Sequence, residues 1–181
     1  MNLTNLLLRH SHLTTARLLL RPVTLADAPA MLRYASDPRV TEFVFPTQND
    51  LATTEENILQ YFLAVPAGKY GIELQDEHEF IRTIDLRLDS INLSAEIGYV
   101  LNHDYWGQGY APEACRALIE LGFDTLIEAC HHTANSRSGR VMQKIGMRQE
   151  GILRNARQFK GQTVTEAIYA LTDADFAAAK R

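Results

Sequence analysis

The hydrophobic pattern of this chain changes its period just past the middle, and that change constrains the fold more than any other feature. Three segments between residues 70 and 101 alternate apolar with polar side chains, as strands with one buried face do. Turn-forming residues separate them, so they are predicted to form an antiparallel meander. From Tyr110 to about Leu126 the apolar residues, Phe123 among them, recur at helical spacing instead. A meander that runs into a helix predicts a mixed α/β domain.

Helices and strands are also predicted on both sides of this region. Before it, the predicted elements are a lead-in helix or loose arm at 1–13, a strand at 16–23, a helix from Ala28 to Tyr34 capped by Thr24, an irregular stretch at 39–52, and a helix capped by Thr53 or Thr54 with Ile58, Leu59, Phe62 and Leu63 on its apolar face. After it, they are a strand at 127–133, a helix at 135–145 ended by Gly146, strands at 147–159 and 163–171, and a helix capped by Thr172. No repeat or linker interrupts this order, so residues 1–181 are predicted to form a single domain.

The composition is that of an ordinary globular domain. Of 181 residues, 46% are hydrophobic and 22% are charged, which excludes wholesale disorder and coiled coil. The net charge of −4 lacks the basic excess of a general nucleic-acid binder. The apolar run Leu6–Leu8 is too short for a signal-peptide core or a membrane span. Cys115 and Cys130 are too few for a disulfide framework, so we expect a cytoplasmic protein with reduced thiols and no nucleic-acid or membrane partner.

A loop with two glycines connects the last strand of the meander to the following helix. It reads Trp-Gly-Gln-Gly-Tyr-Ala from Trp106 to Ala111, and Pro112 fits the first helical turn. Glycines permit a tight turn, and the N–H groups at the start of a helix attract an anion. The loop has no lysine, so a phosphate or pyrophosphate would be held by backbone donors. The spacing excludes a Walker loop and a dinucleotide fingerprint. By itself, the loop is equally compatible with a tight connection that binds nothing.

Several further segments occur with this loop in a fixed order. They are Thr15–Arg21, Phe80–Leu86, Glu96–Leu101, Trp106–Ala111, Asn135–Ser138, Lys144–Met147 and Glu150–Arg154. Together they resemble the GNAT superfamily of acetyl-CoA-dependent N-acetyltransferases, and within it the RimJ/RimL branch, which includes ribosomal-protein N-terminal acetyltransferases. The resemblance implies an α/β (α+β) GNAT fold: a twisted, mixed but mostly antiparallel sheet of about seven strands flanked by helices.

The resemblance also implies where acetyl-CoA binds. The loop matching Trp106, Gly107, Gln108, Gly109, Tyr110 and Ala111 cradles the pyrophosphate of coenzyme A with backbone N–H groups. The strand matching 97–101 diverges from the strand matching 127–133, and the pantetheine arm lies in that gap, paired with backbone groups near Val100 and Leu101. The side chain matching Asn135 hydrogen-bonds the pantetheine, and the hydroxyl matching Ser138 lies near the thioester sulfur.

Acyl transfer to an amine needs a base for the ammonium and a donor for the departing thiolate. Ser138 is the candidate donor, with a helix-surface serine as the alternative. Glu96 is the candidate base, because relatives use a carboxylate on the matching strand; a solvent-facing or salt-bridged residue fits equally well. Backbone N–H groups near Val100 or Leu101 would polarise the thioester carbonyl.

Three positions depart from the family pattern. Trp106 stands where the classical loop begins with arginine or glutamine. Arg82 replaces a usual glycine, and is expected to crowd the sheet or to add a charge facing the substrate. Arg157 stands where some members of the branch carry a catalytic carboxylate, which leaves a water-relayed mechanism open.

Two cysteine-containing segments invite other interpretations. Cys130, His131 and His132 resemble a metal cluster, but neighbours on a strand point to opposite faces, so no metal site is expected. Cys115 follows the helical period and is predicted to be a core residue.

The leading hypothesis is an N-acetyltransferase that uses acetyl-CoA and acts on a primary amine, either a protein N-terminus or a small amine. The rivals are an acyl-CoA sensor without turnover and an unrelated nucleotide-binding protein. We expect the acceptor pocket between residues 24–63 and the late hairpin. A homodimer is compatible with the sequence.

Overall fold

The computed structural model describes residues 3–121 and 126–179. Its α-helices are α1 (Leu3–Arg9), α2 (Ala28–Ala35), α3 (Pro38–Thr41), α4 (Leu51–Asn57), α5 (Tyr110–Leu121), α6 (Ser136–Lys144) and α7 (Asp173–Ala179). Its strands are β1 (Leu13–Thr14), β2 (Leu18–Arg21), β3 (Lys69–Leu74), β4 (Phe80–Asp89), β5 (Ser94–Leu101), β6 (Leu126–His132), β7 (Arg148–Phe159) and β8 (Gln162–Leu171). A 3₁₀ turn precedes α2, another follows β5, and α4 continues as a π-helix, Ile58–Leu63.

One sheet runs through the molecule in the order β1-β2-β3-β4-β5-β6-β8-β7. The predicted meander of β3, β4 and β5 is confirmed, and so is the late hairpin of β7 and β8. Only β5 and β6 pair in parallel among these neighbours. The sheet has eight strands where about seven were expected, because β1 is two residues long and too short to show an alternating pattern.

The helices cover both faces of the sheet. Alternate residues of β4 and β5, such as Ile84, Leu86 and Ile97, pack with α5 in a buried core. A second, smaller core joins α2 to the π-helix on the other face. The odd-numbered residues from Thr83 to Arg87 lie on that second face and line the large cavity described below.

Several predicted boundaries were wrong because side chains from neighbouring turns decide them. The stretch predicted to be irregular, 39–52, begins inside α3. This helix starts after Asp37, whose carboxylate accepts from the Arg39 N–H. The second helix is capped by Asp50, not by Thr53 or Thr54: the Asp50 carboxylate accepts from the Thr53 N–H at 2.7 Å.

The predicted apolar face of that helix was also wrong in part. Ile58 and Phe62 are buried, but Leu59 and Leu63 are exposed, because only the i, i+4 pair Ile58 and Phe62 faces the core and each leucine lies one position further round the helix. The helix from Tyr110 does not reach Leu126, which begins β6, and Phe123 lies outside the described residues. Within residues 3–121 and 126–179, no helix combines the length and hydrophobicity that a bilayer-spanning segment needs.

Candidate active site

The site begins where β5 and β6 separate. Their parallel pairing covers Ser94 to Glu96 on β5 and Leu126 to Glu128 on β6, and beyond it the two strands diverge. A cavity of about 1100 Å³ lies over this gap. Strands that diverge leave backbone groups facing the gap, and these groups need partners from elsewhere.

The pairing of β5 with β4 shows which backbone groups face the gap. Asn102 N–H donates to the Ile81 carbonyl at 3.3 Å, and Val100 lies opposite Thr83. Backbone groups alternate in an antiparallel ladder, so those of Val100 point toward β4, whereas those of Tyr99 and Leu101 point into the gap. The family resemblance implies that the pantetheine arm pairs with backbone groups near Val100 and Leu101. Of these two residues, Leu101 presents its backbone N–H to the gap, whereas Val100 contributes its side chain to the cavity wall.

The glycine loop follows directly. Gly107 and Gly109 have φ angles of +81° and +85°, a region that side chains rarely adopt, so the turn depends on glycine. The loop leads into α5, whose first N–H groups have no partner within the helix. Gly107, Gly109 and Ala111 line the cavity, while the ring of Tyr110 lies under the Arg17 guanidinium at 4.4 Å. The arrangement fits an anion held by backbone donors, as the sequence predicts.

Thr15 and Arg17, in the turn before β2, hold this loop in place through hydrogen bonds. Arg17 Nη1 donates to the Gln108 carbonyl at 3.1 Å, and Arg17 Nη2 donates to the Glu113 carboxylate at 2.6 Å. The Thr15 hydroxyl donates to the other Glu113 oxygen at 2.6 Å. The Thr15–Arg21 segment, for which the sequence predicts no role, therefore holds the anion loop through the turn that precedes β2.

Trp106, which stands where the classical loop begins with arginine or glutamine, makes two contacts that hold the loop in place. Its indole Nε1 donates to the Leu101 carbonyl at 2.8 Å, and the Arg137 guanidinium lies over its ring at 4.5 Å. The side chain thus ties the loop to the end of β5 and to α6.

The first turn of α6 forms the opposite wall. Asn135 caps the helix, its side-chain oxygen accepting from the Ser138 N–H at 3.4 Å. The Ser138 hydroxyl lies 2.9 Å from the Tyr99 hydroxyl, and both residues line the cavity. Burial raises the pKa of Tyr99, so its hydroxyl keeps its proton at neutral pH. Asn135 and Ser138 therefore lie across the gap from β5.

Charged side chains line the part of the cavity beside the middle of β5 and the late hairpin. Glu96 faces it and pairs with Arg87 at 2.8 Å, and Arg87 also contacts Asp85. On the late hairpin Arg157 pairs with buried Glu166 at 2.6 Å. A carboxylate thus faces the cavity beside Arg157, supplied by β8.

Arg82 does not face the cavity. It is fully buried on the α5 side of the sheet, with its guanidinium 5.7 Å from the centroid of the Tyr99 ring. The expectation of a charge facing the substrate was therefore wrong, because strand alternation places Arg82 on the face that carries Ile84 and Leu86, away from the cavity.

The Cys130 segment alternates as expected. His131 packs against Tyr169 with ring centroids 5.6 Å apart, while His132 packs against Phe43 at 5.1 Å. Among residues 3–121 and 126–179 no group of three or more histidine, cysteine, aspartate or glutamate side chains is arranged to hold a metal. Cys115 is in the core, where burial raises the pKa of its thiol to about 12.

Comparisons with known proteins agree with this geometry. The pattern of the Acetyltransferase (GNAT) domain matches residues 17–148. This chain belongs to the GNAT acetyltransferase family. The uncharacterized N-acetyltransferase p20 of Bacillus licheniformis is 32% identical over 174 residues, which cover 91% of this chain and 98% of p20. As a GNAT protein, the chain is an acetyl-CoA-dependent N-acetyltransferase.

Solved GNAT structures share its fold. A GNAT acetyltransferase from Bacillus anthracis is 28% identical, with a TM-score of 0.82 and coverage of 90% of this chain and 99% of that one. RimL, a ribosomal alpha-N-protein acetyltransferase solved with coenzyme A, is 21% identical, with a TM-score of 0.76 and coverage of 88% and 97%. The fold predicted from the sequence is thereby confirmed.

The sequence did not point to every residue of this GNAT site. Tyr61, Asp85, Arg87 and Glu166 all line the cavity, and none was predicted. Asp85 lies within Phe80–Leu86, one of the segments that resemble the GNAT family, so the sequence did draw attention to this strand. Alternation alone, however, does not say which face of the strand meets the cavity. Glu166 carries no signal of its own, because only the pairing of β8 with β7 brings it to Arg157.

Proposed function

We propose that this GNAT protein transfers the acetyl group of acetyl-CoA to a primary amine, and that the amine enters between α2, the π-helix and the late hairpin. One observation carries the proposal. A single cavity extends from the glycine loop, through the gap beside Leu101, to the carboxylates of Glu96 and Glu166. Cosubstrate phosphates and a cationic acceptor can therefore occupy opposite ends of one space.

The residues of this cavity have complementary proposed roles. Trp106, Gly107, Gln108, Gly109, Tyr110 and Ala111 form the loop that would hold the pyrophosphate. Leu101 N–H faces the gap and would donate to the developing oxyanion of the thioester carbonyl. Asn135 would hydrogen-bond the pantetheine, and Ser138 would donate to the departing sulfur, with Tyr99 behind it at 2.9 Å. A carboxylate at the acceptor end would take the ammonium proton.

The preferred acceptor in this proposal is a protein N-terminal α-amine. RimL, whose overall fold is shared, is named for that activity on a ribosomal protein. The acceptor end is also wide and partly aromatic, with Tyr34, Phe43 and Phe45 on its wall. Such a surface can receive the side chains that follow a terminal amine.

Release of coenzyme A from acetyl-CoA tests the proposal. We expect release, and a mass gain of one acetyl group, with peptides that have free N-termini. The same peptides with blocked N-termini are the matched control and should give neither signal. Coenzyme A release with small amines but not with peptides would show that the acceptor is a small amine. Tight binding of coenzyme A by calorimetry without release from any amine would favour the sensor and overturn the proposal.

A further inference from the structure

A cluster of four side chains forms the wall of the acceptor chamber. Arg87 Nη1 contacts Asp85 Oδ1, and Arg87 Nη2 donates to Glu96 at 2.8 Å. The Tyr61 hydroxyl, from the π-helix, donates to Asp85 Oδ2 at 3.1 Å. All four residues line the cavity. The two carboxylates differ in exposure: the Asp85 side chain is 14% exposed and the Glu96 side chain is 47% exposed.

Gly98, on the adjoining strand β5, leaves the space that the Asp85 carboxylate occupies. Gly98 of β5 lies opposite Asp85, and a Cβ on Gly98 would come within 2.9 Å of Asp85 Oδ1 and 2.7 Å of Arg87 Nη1. The carboxylate therefore rests directly on β5, one residue before Tyr99 and three before Leu101, where the strand borders the gap. The Glu-Ile-Gly-Tyr segment thus supplies a surface for an aspartate on its neighbouring strand.

We infer that Asp85, rather than Glu96, accepts the proton of the acceptor ammonium, and that Arg87 and Glu96 hold Asp85 in position. The inference rests on the proposed function and assigns its base. Glu96 shares Arg87 with Asp85 and is the more exposed of the two carboxylates, so water compensates its charge more fully in this arrangement. It is a positioning residue, and Asp85 is the catalytic one.

The surroundings of Asp85 suit this task. The charged and titratable groups that face it are Arg87 on β4, Tyr61 on the π-helix, Glu96 on β5 and Lys69 on β3. Burial raises the pKa of Asp85, Glu96 raises it further, and Arg87, Tyr61 and Lys69 oppose the rise. One guanidinium serves two carboxylates, so its charge does not fully compensate both. A base with a raised pKa can take a proton near neutral pH, where an ordinary aspartate would not hold it.

Acetyl transfer to an ammonium group by this route releases one proton overall. The acceptor ammonium gives one proton to the Asp85 carboxylate, and the free amine forms a C–N bond to the thioester carbonyl carbon. The C–S bond breaks, the thiolate takes the proton of the Ser138 hydroxyl, and the second proton lost by the nitrogen passes through water to restore that hydroxyl. Asp85 then returns its proton to water, so the products are the amide, the coenzyme A thiol and one released proton.

Carboxyl carbon NMR of the full chain with bound coenzyme A tests the proton on Asp85 without any acceptor. Aspartate side chains are labelled with ¹³C, and the Asp85 signal is assigned by its loss in Asp85→Asn. We expect its titration to lie well above the ordinary aspartate range of about 4. A midpoint in that ordinary range would overturn the inference, and it would leave the proposed acetyl transfer intact.

Kinetics with a peptide acceptor supply the second test. Asp85→Asn is expected to lower kcat/KM about 100-fold at neutral pH, with unchanged coenzyme A affinity, and the deficit should shrink as alkali deprotonates the amine. Glu96→Gln should shift the pH profile and keep most of the rate. Asp89→Asn, on the same strand beyond the cavity, is the control and should match the wild type.

The reverse result for the Asp85→Asn and Glu96→Gln variants would contradict the inference. If Glu96→Gln removes the ionisation from the pH profile and Asp85→Asn keeps it, Glu96 is the base and the inference fails. If the wild type releases no coenzyme A with any amine, the proposed function fails, while the NMR titration still decides the state of Asp85. Thermal unfolding and coenzyme A binding of each variant verify that the fold is retained.

Discussion

The hydroxyl of Tyr99 lies 2.9 Å from Oγ of Ser138 and 3.0 Å from the Ser138 carbonyl oxygen. The contact joins β5 to the first turn of α6 across the gap between the diverging strands. Since either hydroxyl can donate in the Oγ contact, rotation of the two hydrogens can turn Tyr99 into the donor and direct the Ser138 proton elsewhere. In the proposed mechanism the pair would therefore deliver a proton into the gap.

Removing either hydroxyl should slow turnover more than it weakens coenzyme A binding. We expect Ser138→Ala to lower kcat about 100-fold, because the donor to the departing thiolate is lost. Tyr99→Phe should lower kcat less, since Ser138 remains but loses its partner. Steady-state kinetics with calorimetry separate the two effects. Ser136→Ala, in the same helical turn, is the control, and a Ser138→Ala enzyme as fast as this control would remove Ser138 from the mechanism.

The glycine loop can be tested against a second glycine with the same backbone strain. Gly109 and Gly161 have φ angles of +85° and +76°, so an alanine is strained at both. Each substitution should cost about 1 kcal/mol of stability. Only Gly109→Ala should weaken coenzyme A binding, by about 10-fold or more, because it displaces the backbone donors of the anion site. Equal affinities of the two variants by calorimetry would contradict the loop assignment.

Replacing Arg82 should stabilise the protein. Within the described residues, none of its three guanidinium nitrogens has a hydrogen-bond partner, and the side chain is fully buried. Arg82→Met keeps much of the volume and removes the uncompensated charge, so we expect a gain of about 1–3 kcal/mol in the free energy of unfolding in urea. Arg33→Met, which breaks an exposed pair with Glu79, should change it by less than about 1 kcal/mol. A loss of stability in Arg82→Met would show that the guanidinium has a partner in solution.

Acid should weaken the fold through Asp27. Burial raises the pKa of Asp27, but hydrogen bonds from Arg21 and Thr24 outweigh it and hold the pKa below its ordinary value. The folded state therefore binds the proton less readily than the unfolded state. The stabilisation is complete above the unfolded pKa of about 4 and is lost as pH falls through the lower folded value.

Asp27→Asn should accordingly lower stability near pH 6 and flatten the decline below pH 4. Urea unfolding measured between pH 6 and pH 2.5 checks both effects. Parallel stability curves for the variant and the wild type would contradict this role, as would an unchanged free energy of unfolding near neutral pH.

Most of the order of elements, the sheet type and the glycine loop follow from the sequence alone, whereas β1 and α3 do not. The predicted features depend on local properties: alternation predicts β3, β4 and β5, glycine and proline define the loop, and Gly146 ends α6. Such signals lie within a few residues of the structure that they predict. The segments shared with the GNAT family then predict that Asn135 and Ser138 lie near the thioester.

Only the tertiary structure decided which side chains meet. Arg17 reaches Glu113 across the sheet, and Arg157 meets Glu166 through the pairing of two strands. Asp85 and Arg82 point to opposite faces of β4, and only the packing of the sheet decides that the face of Asp85 meets the cavity. Register and packing depend on contacts between distant parts of the chain. A local pattern therefore predicts that a strand exists, while the folded sheet determines which of its residues do chemistry.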